Sequence, residues 1–269
     1  MTHEDFEHVY EYAKQWVLEA GALIRDKIDT PMTINTKSNP KDLVTTMDKE
    51  TERFFVQRIK EQFPDHLLLT EEGYGDDIVS MDGTVWIIDP IDGTMNFVHQ
   101  KSNFAISVAI YHNGIGQIGL IYNVMDDILY SARKNSGAFK NDTKLAKLKN
   151  DVTLEQSLLG LNHYWLCANH LVDERVMQDL VRTVRGVRTY GSAALEFAYV
   201  AEGIIDGYLT MNLSPWDIAA GVVLVNEVGG ITTTITGDSL DMLKKNSIVA
   251  CNSCIHPKLI DDFLKKGQK

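Results

Sequence analysis

The segment 86–97 combines residue types that can bind a cation and a phosphate. It reads Trp-Ile-Ile-Asp-Pro-Ile-Asp-Gly-Thr-Met-Asn-Phe, so an apolar run leads into Asp89 and Asp92 and then into Gly93 and Thr94. The odd spacing of the two acids would put them on opposite faces of a regular strand. They converge only if the backbone turns between them. Because the intervening proline fixes φ and Gly93 permits close backbone approach, we predict a tight turn here.

Such a turn would gather several oxygen ligands in one small volume. They are the carboxylates of Asp89 and Asp92, the Ile91 carbonyl and the Thr94 hydroxyl. Ligands of this kind suit Mg²⁺, which usually keeps several waters and is shared between one or two carboxylates and a substrate phosphate. For an isolated pair of acids, the alternative is an ordinary βα turn in which Asp is a turn residue and Thr is a helix N-cap.

Three further acids are candidates for the same site, and each has a local explanation. Asp48 follows Thr45 at the spacing of a capping box, and Asp217 stands in the same relation to Ser214, with a proline between them at the first helical position. Glu71 follows a short apolar run, where a solvated acid is common. From local sequence alone, both the structural and the metal-binding interpretations stay open for each residue.

The elements before residue 150 are predicted to be two helices followed by strands. Apolar residues at helical spacing predict helices over 4–28 and 42–63. Two β-rich runs, 104–111 and 117–124, are joined by His-Asn-Gly-Ile-Gly, which has the composition of a hairpin turn. We expect a further turn at 136–141. This order is typical of an α+β fold rich in antiparallel strands.

From residue 158 onward, predicted strands and helices alternate. The main ones are strands at 158–162, 205–211 and 248–251 and helices at 192–202 and 215–227. That alternation predicts α/β architecture for the second half. The lysine-rich stretch 140–151 separates two halves, so we expect residues 1–150 to carry most of the metal ligands and residues 151–269 to complete the site.

Composition excludes several classes of protein. The chain has 269 residues, with 26 Lys and Arg against 37 Asp and Glu, and a net charge of −11 repels a nucleic-acid polymer. No apolar run reaches the length of a membrane span, and the acidic N-terminus is unlike a signal peptide. We therefore expect a cytoplasmic protein that binds no membrane. The three cysteines are an odd number, which argues against a disulfide framework and predicts reduced thiols.

Taken together, these features resemble the inositol monophosphatase family of Mg²⁺-dependent, lithium-sensitive sugar phosphatases. The residues that carry the resemblance span the chain: Lys37, Asp48, Glu71 and Glu72, the segment 86–97, Gly191-Ser192-Ala193-Ala194 and Trp216-Asp217. The Asp-Pro-Ile-Asp-Gly-Thr core, followed far downstream by Trp-Asp and a Gly-Gly pair, is its most specific part. The resemblance implies a layered αβαβα sandwich, an enzyme that hydrolyses phosphate monoesters with Mg²⁺, and a homodimer.

The resemblance also implies ligands for two or three Mg²⁺ ions. Glu71, Asp89 and the Ile91 carbonyl would hold one ion. Asp89, Asp92 and Asp217 would hold a second, and Glu71 would hold a third through water. Asp89 is thus the expected bridge between ions.

On the substrate side, the resemblance assigns three kinds of role. Gly93 and Thr94 would present backbone N–H groups to the phosphate at a helix N-terminus, which suits an anion. Asp48 would accept a hydrogen bond from Thr94 and help to activate the attacking water. The remaining expected substrate contacts are Lys37, Gly191, Ser192, Ala193 and Thr210.

Thr210 is a departure from the family pattern. The animal enzymes that prefer inositol phosphate carry a glutamate at this position, where a carboxylate can bind sugar hydroxyls. We therefore expect a broad phosphatase that accepts inositol 1-phosphate and other sugar or nucleotide 2′-phosphates, including NADP. Fructose-1,6-bisphosphatase and 3′-phosphoadenosine phosphatase activities are alternatives. A weakly active metal-binding regulator is another, as is a dinucleotide oxidoreductase suggested only by Gly114-x-Gly116-x-x-Gly119.

Overall fold

The chain begins with two helices that flank a small β-ribbon. The computed structural model describes residues 3–36 and 43–269. Helix α1 spans His3–Lys27, strands β1 (Ile34–Thr36) and β2 (Leu43–Thr45) pair antiparallel, and helix α2 spans Thr46–Gln62. The prediction that α2 begins at residue 42 is wrong. Thr45 has the extended backbone of an N-cap, so the three residues before the helix are free to pair as a strand.

A seven-stranded sheet follows, with its strands side by side in chain order. They are β3 (Leu67–Thr70), β4 (Thr84–Asp92), β5 (Ala105–His112), β6 (Ile115–Asn123), β7 (Ile128–Arg133), β8 (Gly137–Lys140) and β9 (Thr143–Lys144). Among the described strands of this sheet, only the β3–β4 pair is parallel, which confirms the antiparallel-rich first half. The turn expected at 136–141 is wrong, because most of that segment is β8, which finds hydrogen-bonding partners on both sides.

The second sheet has five strands and mixed directions. Strands β10 (Leu158–Leu161), β11 (Gly186–Arg188) and β12 (Gly207–Leu213) are parallel, whereas β13 (Ile231–Thr233) and β14 (Asn246–Cys251) join antiparallel, in the order β11-β10-β12-β14-β13. The helices are α3 (Thr94–Gln100), α4 (Glu174–Thr183), α5 (Ala193–Glu202) and α6 (Pro215–Glu227). The chain ends in three consecutive helical pieces, His256–Lys258, Leu259–Leu264 and Lys265–Gly267.

Helices and sheets alternate in five layers. Helices α1 and α2 cover one face of the first sheet through a core that includes Trp16, Phe55 and Trp86. Helices α5 and α6 lie between the two sheets, and α4 with the C-terminal helical pieces covers the outer face of the second sheet. This is the expected αβαβα sandwich. The two sheets fall on either side of residue 150, and the division into halves at that residue stays a proposal.

The glycines of the β5–β6 hairpin have a packing explanation. The strands on both sides of Asn113-Gly114 confirm the hairpin, and β6 continues as a strand through Gly119. A Cβ added at Gly119 would lie 2.5 Å from the Ala220 carbonyl oxygen, so helix α6 can sit this close only over glycine. The glycine pattern therefore serves helix–sheet packing and lacks the strand-to-helix context of a dinucleotide fingerprint.

Two further sequence expectations concern cysteines and membranes. All three cysteines, Cys167, Cys251 and Cys254, are free thiols, as expected. Among the residues that the structure describes, no helix is both long and apolar enough to cross a bilayer.

Candidate active site

The two acids of segment 86–97 share a face because β4 carries a bulge. The strand is buried along its whole length and runs on to Asp92, so the predicted tight turn is wrong. Asp89 pairs with Ser107 of β5, and Asp92 pairs with Ala105, so β4 advances by three residues where β5 advances by two. The extra residue of the bulge offsets the odd spacing of the acids. The acids therefore converge within a strand.

Asp217, in the first turn of helix α6, lies close to these two acids. Asp89, Asp92 and Asp217 each offer a carboxylate oxygen, and these oxygens lie within 4.8 Å of one another. Asp217 also forms the predicted capping box at the start of α6, where the Ser214 N–H donates to its Oδ2 at 2.7 Å. One oxygen caps the helix, which leaves the second for the cluster.

Asp92 is held by the N-terminus of helix α5. The Ser192 hydroxyl and the Ala194 N–H, the latter at 2.9 Å, both donate to Asp92 Oδ2. These bonds favour the carboxylate, but burial outweighs them and raises the pKa of Asp92 to about 6. Ser192, which was expected to contact substrate, thus makes its hydrogen bond to an acid of the cluster.

The electrostatics of the cluster fit a bound cation. Burial, followed by the charge of neighbouring acids, raises the pKa of Asp89 and of Asp217 well above the usual range for Asp. Within residues 3–36 and 43–269, no Lys or Arg forms an ion pair with Asp89, Asp92 or Asp217. Buried carboxylates this close need a proton or a cation between them. An all-oxygen donor set favours a hard ion such as Mg²⁺.

Glu71 lies beside the same cluster. Its carboxyl is within hydrogen-bond distance of Asp89, and its backbone N–H donates to the Ile88 carbonyl at 3.3 Å. Strand β3 delivers it there, because β3 runs parallel to β4 and ends level with Ile88. The structure therefore brings together Glu71, Asp89, Asp92 and Asp217, the four acids predicted as metal ligands.

Thr94 and Asp48 form the expected pair next to the acids. The Thr94 hydroxyl lies 3.3 Å from Asp48 Oδ1 and 3.2 Å from the Ile91 carbonyl oxygen, so it can donate to one of them at a time. Asp48 is fully buried, and this burial raises its pKa. As predicted, Asp48 and Thr45 also form a capping box, so the structural and the site contacts use different oxygens.

The predicted substrate residues of the second half adjoin Gly93. Gly93 has φ +93°, and a Cβ there would lie 3.1 Å from Ser192 Cβ and 3.2 Å from the Gly191 carbonyl oxygen. The Ala193 N–H also donates to Asp92. The 191–193 turn therefore packs directly against the start of α3, which itself carries Thr94. Lys37 lies outside the described residues.

Thr210 is hydrogen-bonded to a tyrosine that senses the charge of the acid cluster. Thr210 is 5% exposed on β12, and its side chain is hydrogen-bonded to Tyr208. Burial raises the pKa of Tyr208 well above its usual range, and the charges of Glu196, Asp92 and Asp217 act in the same direction. Tyr208, the hydrogen-bond partner of Thr210, therefore lies close enough to the acids for their charge to act on its hydroxyl.

Two buried polar residues of this region were not predicted. Asn96 Nδ2 donates to the carbonyl oxygens of Asn103 at 2.8 Å and Tyr190 at 2.7 Å, which ties α3 to the second half. Glu196 Oε1 accepts the Tyr190 N–H at 3.0 Å, and burial raises the pKa of Glu196 to about 7. The sequence signal for Glu196 is that it is the one charged residue within the apolar run 193–201.

Comparisons with known proteins agree with this geometry. The model of the inositol monophosphatase family matches residues 5–268. The chain is 56% identical over 254 residues to an inositol-1-monophosphatase of Bacillus subtilis (strain 168), which covers 94% of this chain and 96% of that protein.

Two solved structures with bound nucleotides superpose on the chain. SaIMPase-II with 2′AMP has a TM-score of 0.88 at 40% identity and covers 96% of this chain and 95% of its own. An IMPase/NADP phosphatase with NADP and Ca²⁺ also has a TM-score of 0.88, at 28% identity, and covers 98% of both chains.

Proposed function

The chain belongs to the inositol monophosphatase family, and we propose that it hydrolyses inositol 1-phosphate to inositol and phosphate and accepts other phosphate monoesters as well. It is a magnesium-dependent phosphatase of the inositol monophosphatase type. The observation that carries the proposal is the convergence of Asp89, Asp92 and Asp217 within 4.8 Å, beside the Thr94–Asp48 pair.

In this proposal the acids divide between ions. Glu71, Asp89 and the Ile91 carbonyl would hold one Mg²⁺, Asp89, Asp92 and Asp217 would hold another, and Glu71 would hold a third through water. Asp89 would be a ligand of both ions, because its carboxyl is within hydrogen-bond distance of Glu71 and within 4.8 Å of the oxygens that Asp92 and Asp217 offer. The Ile91 carbonyl would be available because Thr94 can donate to Asp48 instead. When bound, Mg²⁺ neutralises charge on the phosphoryl oxygens and lowers the pKa of a coordinated water.

Thr94 and Asp48 orient the nucleophile. Thr94 Oγ1 can accept a hydrogen bond from the attacking water while it donates its own proton to Asp48 Oδ1, 3.3 Å away. The raised pKa of Asp48 makes it a better proton acceptor than an exposed Asp. No covalent intermediate is required, because water is the nucleophile.

The phosphate is proposed to lie over the start of α3. Gly93 is in the left-handed region and has no side chain, so the N–H groups of Gly93 and Thr94 can approach an anion closely. The 191–193 turn packs against Gly93 and would line the sugar part of the substrate. Lys37 is proposed to add a positive charge near the phosphate.

Thr210 supports a broad substrate range. A neutral hydroxyl at this position can bind a polyol but makes no charged contact with it, so other alcohols compete. Two structures similar to the chain hold 2′AMP and NADP, which are nucleotide 2′-phosphates. We therefore include NADP, hydrolysed at its 2′-phosphate, among the substrates. Fructose 1,6-bisphosphate and 3′-phosphoadenosine 5′-phosphate are kept as alternatives.

Steady-state phosphate release over this panel tests the proposal. Inositol 1-phosphate, 2′-AMP and NADP are each expected to be hydrolysed in Mg²⁺ and not in EDTA. A preference for inositol 1-phosphate of about a hundredfold or more would refute the broad range. Absence of release from every compound, with Mg²⁺ binding intact, would refute the proposed function and favour a metal-binding regulator.

A cytoplasmic location, expected from the sequence, is also proposed, and so is a homodimer, which rests on the family resemblance. Sedimentation velocity at micromolar concentration is expected to show a dimer. A monomer throughout that range would contradict it.

A further inference from the structure

A second buried acid lies one helical turn after Asp48. Glu52 is fully buried on α2, four residues beyond Asp48, so both side chains lie on the same face of the helix. Asp48 contacts Thr94, whereas the hydrogen bonds of Glu52 go to a different part of the chain. A fully buried carboxylate is expensive unless its oxygens are satisfied, so its partners indicate what it holds.

Both oxygens of Glu52 accept hydrogen bonds from the backbone of the loop after β3. The Glu72 N–H donates to Oε2 at 2.6 Å, and the Tyr74 N–H donates to Oε1 at 2.9 Å. The loop has no regular secondary structure between β3 and β4. Bonds from N–H groups to a carboxylate are stronger than bonds between neutral groups. Glu52 therefore fixes the backbone directly after Glu71.

We propose that Glu52 is a positioning residue that holds Glu71 against Asp89 and so sets the affinity of the site for a divalent cation. The inference rests on the proposed role of Glu71 as a magnesium ligand. Its physical basis is geometry: the Glu71 and Asp89 carboxyls lie within hydrogen-bond distance, and the two bonds to Glu52 fix the backbone that follows Glu71. A loop without those bonds would be free to carry Glu71 away from Asp89.

The contact geometry makes an isosteric substitution disruptive. In Glu52→Gln, one acceptor oxygen becomes an NH₂ donor that faces a backbone N–H, so one of the two bonds is lost whichever way the amide is turned. Glu202→Gln is the matched control. Glu202 ends helix α5 and accepts bonds from the Tyr130 hydroxyl and Lys140 Nζ, each at 2.6 Å. The same chemical change there removes an ion pair away from the acid cluster.

Calorimetric titration with Mg²⁺ and amide hydrogen exchange on the full chain test the proposal without substrate. Glu52→Gln is expected to weaken Mg²⁺ binding by roughly 10- to 100-fold and to speed exchange at Glu72 and Tyr74, while Glu202→Gln changes neither. In turnover, the Mg²⁺ concentration for half-maximal rate is expected to rise by the same factor, with kcat at saturating Mg²⁺ within about threefold of the wild type. A general loss of structure would lower kcat instead.

Glu52→Asp keeps the charge but has a side chain one methylene shorter. It replaces Glu52→Gln in both measurements if the Gln variant does not fold. Wild-type Mg²⁺ affinity and wild-type exchange in either folded variant would overturn the proposal. If the wild-type protein releases no phosphate but Glu52→Gln still loses Mg²⁺, the proposed function fails and this inference stands. If the variant is active with unchanged Mg²⁺ affinity, only this inference fails.

Discussion

Replacing Asp92 with asparagine is expected to stabilise the metal-free protein while it abolishes metal-dependent activity. Asp92 is 6% exposed, and burial raises its pKa from 3.8 to about 6. Since one pKa unit corresponds to about 1.4 kcal/mol, keeping this carboxylate ionised above pH 6 costs the folded state about 3 kcal/mol. Asparagine removes the charge, and its carbonyl oxygen can still accept the bonds from Ser192 and Ala194.

The pH dependence of this effect has a definite sign. An acid whose pKa is raised by folding binds its proton more tightly in the folded state, so the free energy of unfolding decreases as the pH rises. For Asp92 the decrease falls between the unfolded value of 3.8 and the folded value of about 6. The metal-free wild type is therefore expected to be more stable at pH 5 than at pH 8, and Asp92→Asn is expected to flatten that difference.

Urea unfolding in EDTA at pH 8 measures the change. Asp92→Asn is expected to gain up to about 3 kcal/mol over the wild type. With saturating Mg²⁺ the order should reverse, because only the wild type gains the free energy of ion binding. Asp142→Asn is the control, since its side chain is 99% exposed, and it is expected to change neither value. A metal-free Asp92→Asn protein less stable than the wild type would refute the reasoning.

Three other variants test separate parts of the account. Thr94→Ala removes the hydroxyl next to Asp48 and is expected to lower kcat by about 100-fold or more with little change in KM. Thr94→Ser should keep most activity, and equal losses in both variants would contradict the role of the hydroxyl. Thr210→Glu adds a carboxylate acceptor and is expected to raise kcat/KM for inositol 1-phosphate over 2′-AMP by about tenfold, and an unchanged ratio in the same assay would refute the specificity argument. Gly221→Ala places a Cβ 2.2 Å from Phe197 Cγ and is expected to cost about 1–3 kcal/mol in urea unfolding; wild-type stability would contradict the packing.

The elements that sequence predicts well are those with strong local signals. The pattern of α6 gives both of its ends, because Ser214, the proline after it and Asp217 mark the start, and a Gly-Gly pair follows the end. Asp48 and Asp217 are more instructive. Their local explanation as capping residues is correct, and so is their place beside the acid cluster, because a carboxylate has two oxygens.

The structural features that the sequence does not predict depend on contacts between distant segments of the chain. The β4 bulge exists only relative to the register of β5, so segment 86–97 alone suggests a turn. Strand β2 is predicted as part of a helix because the strand it pairs with in the described structure, β1, lies across a polar stretch of the chain. Glu52 resembles any helical glutamate until the loop after β3 is seen to bring two N–H groups to it.

The position of the bound metal tests the central claim most directly. Anomalous diffraction from crystals grown with Mn²⁺ in place of Mg²⁺ is predicted to show a peak within coordination distance of carboxylate oxygens from Asp89, Asp92 and Asp217. Ordered Mn²⁺ elsewhere on the protein, with no peak among these three residues, would contradict the account.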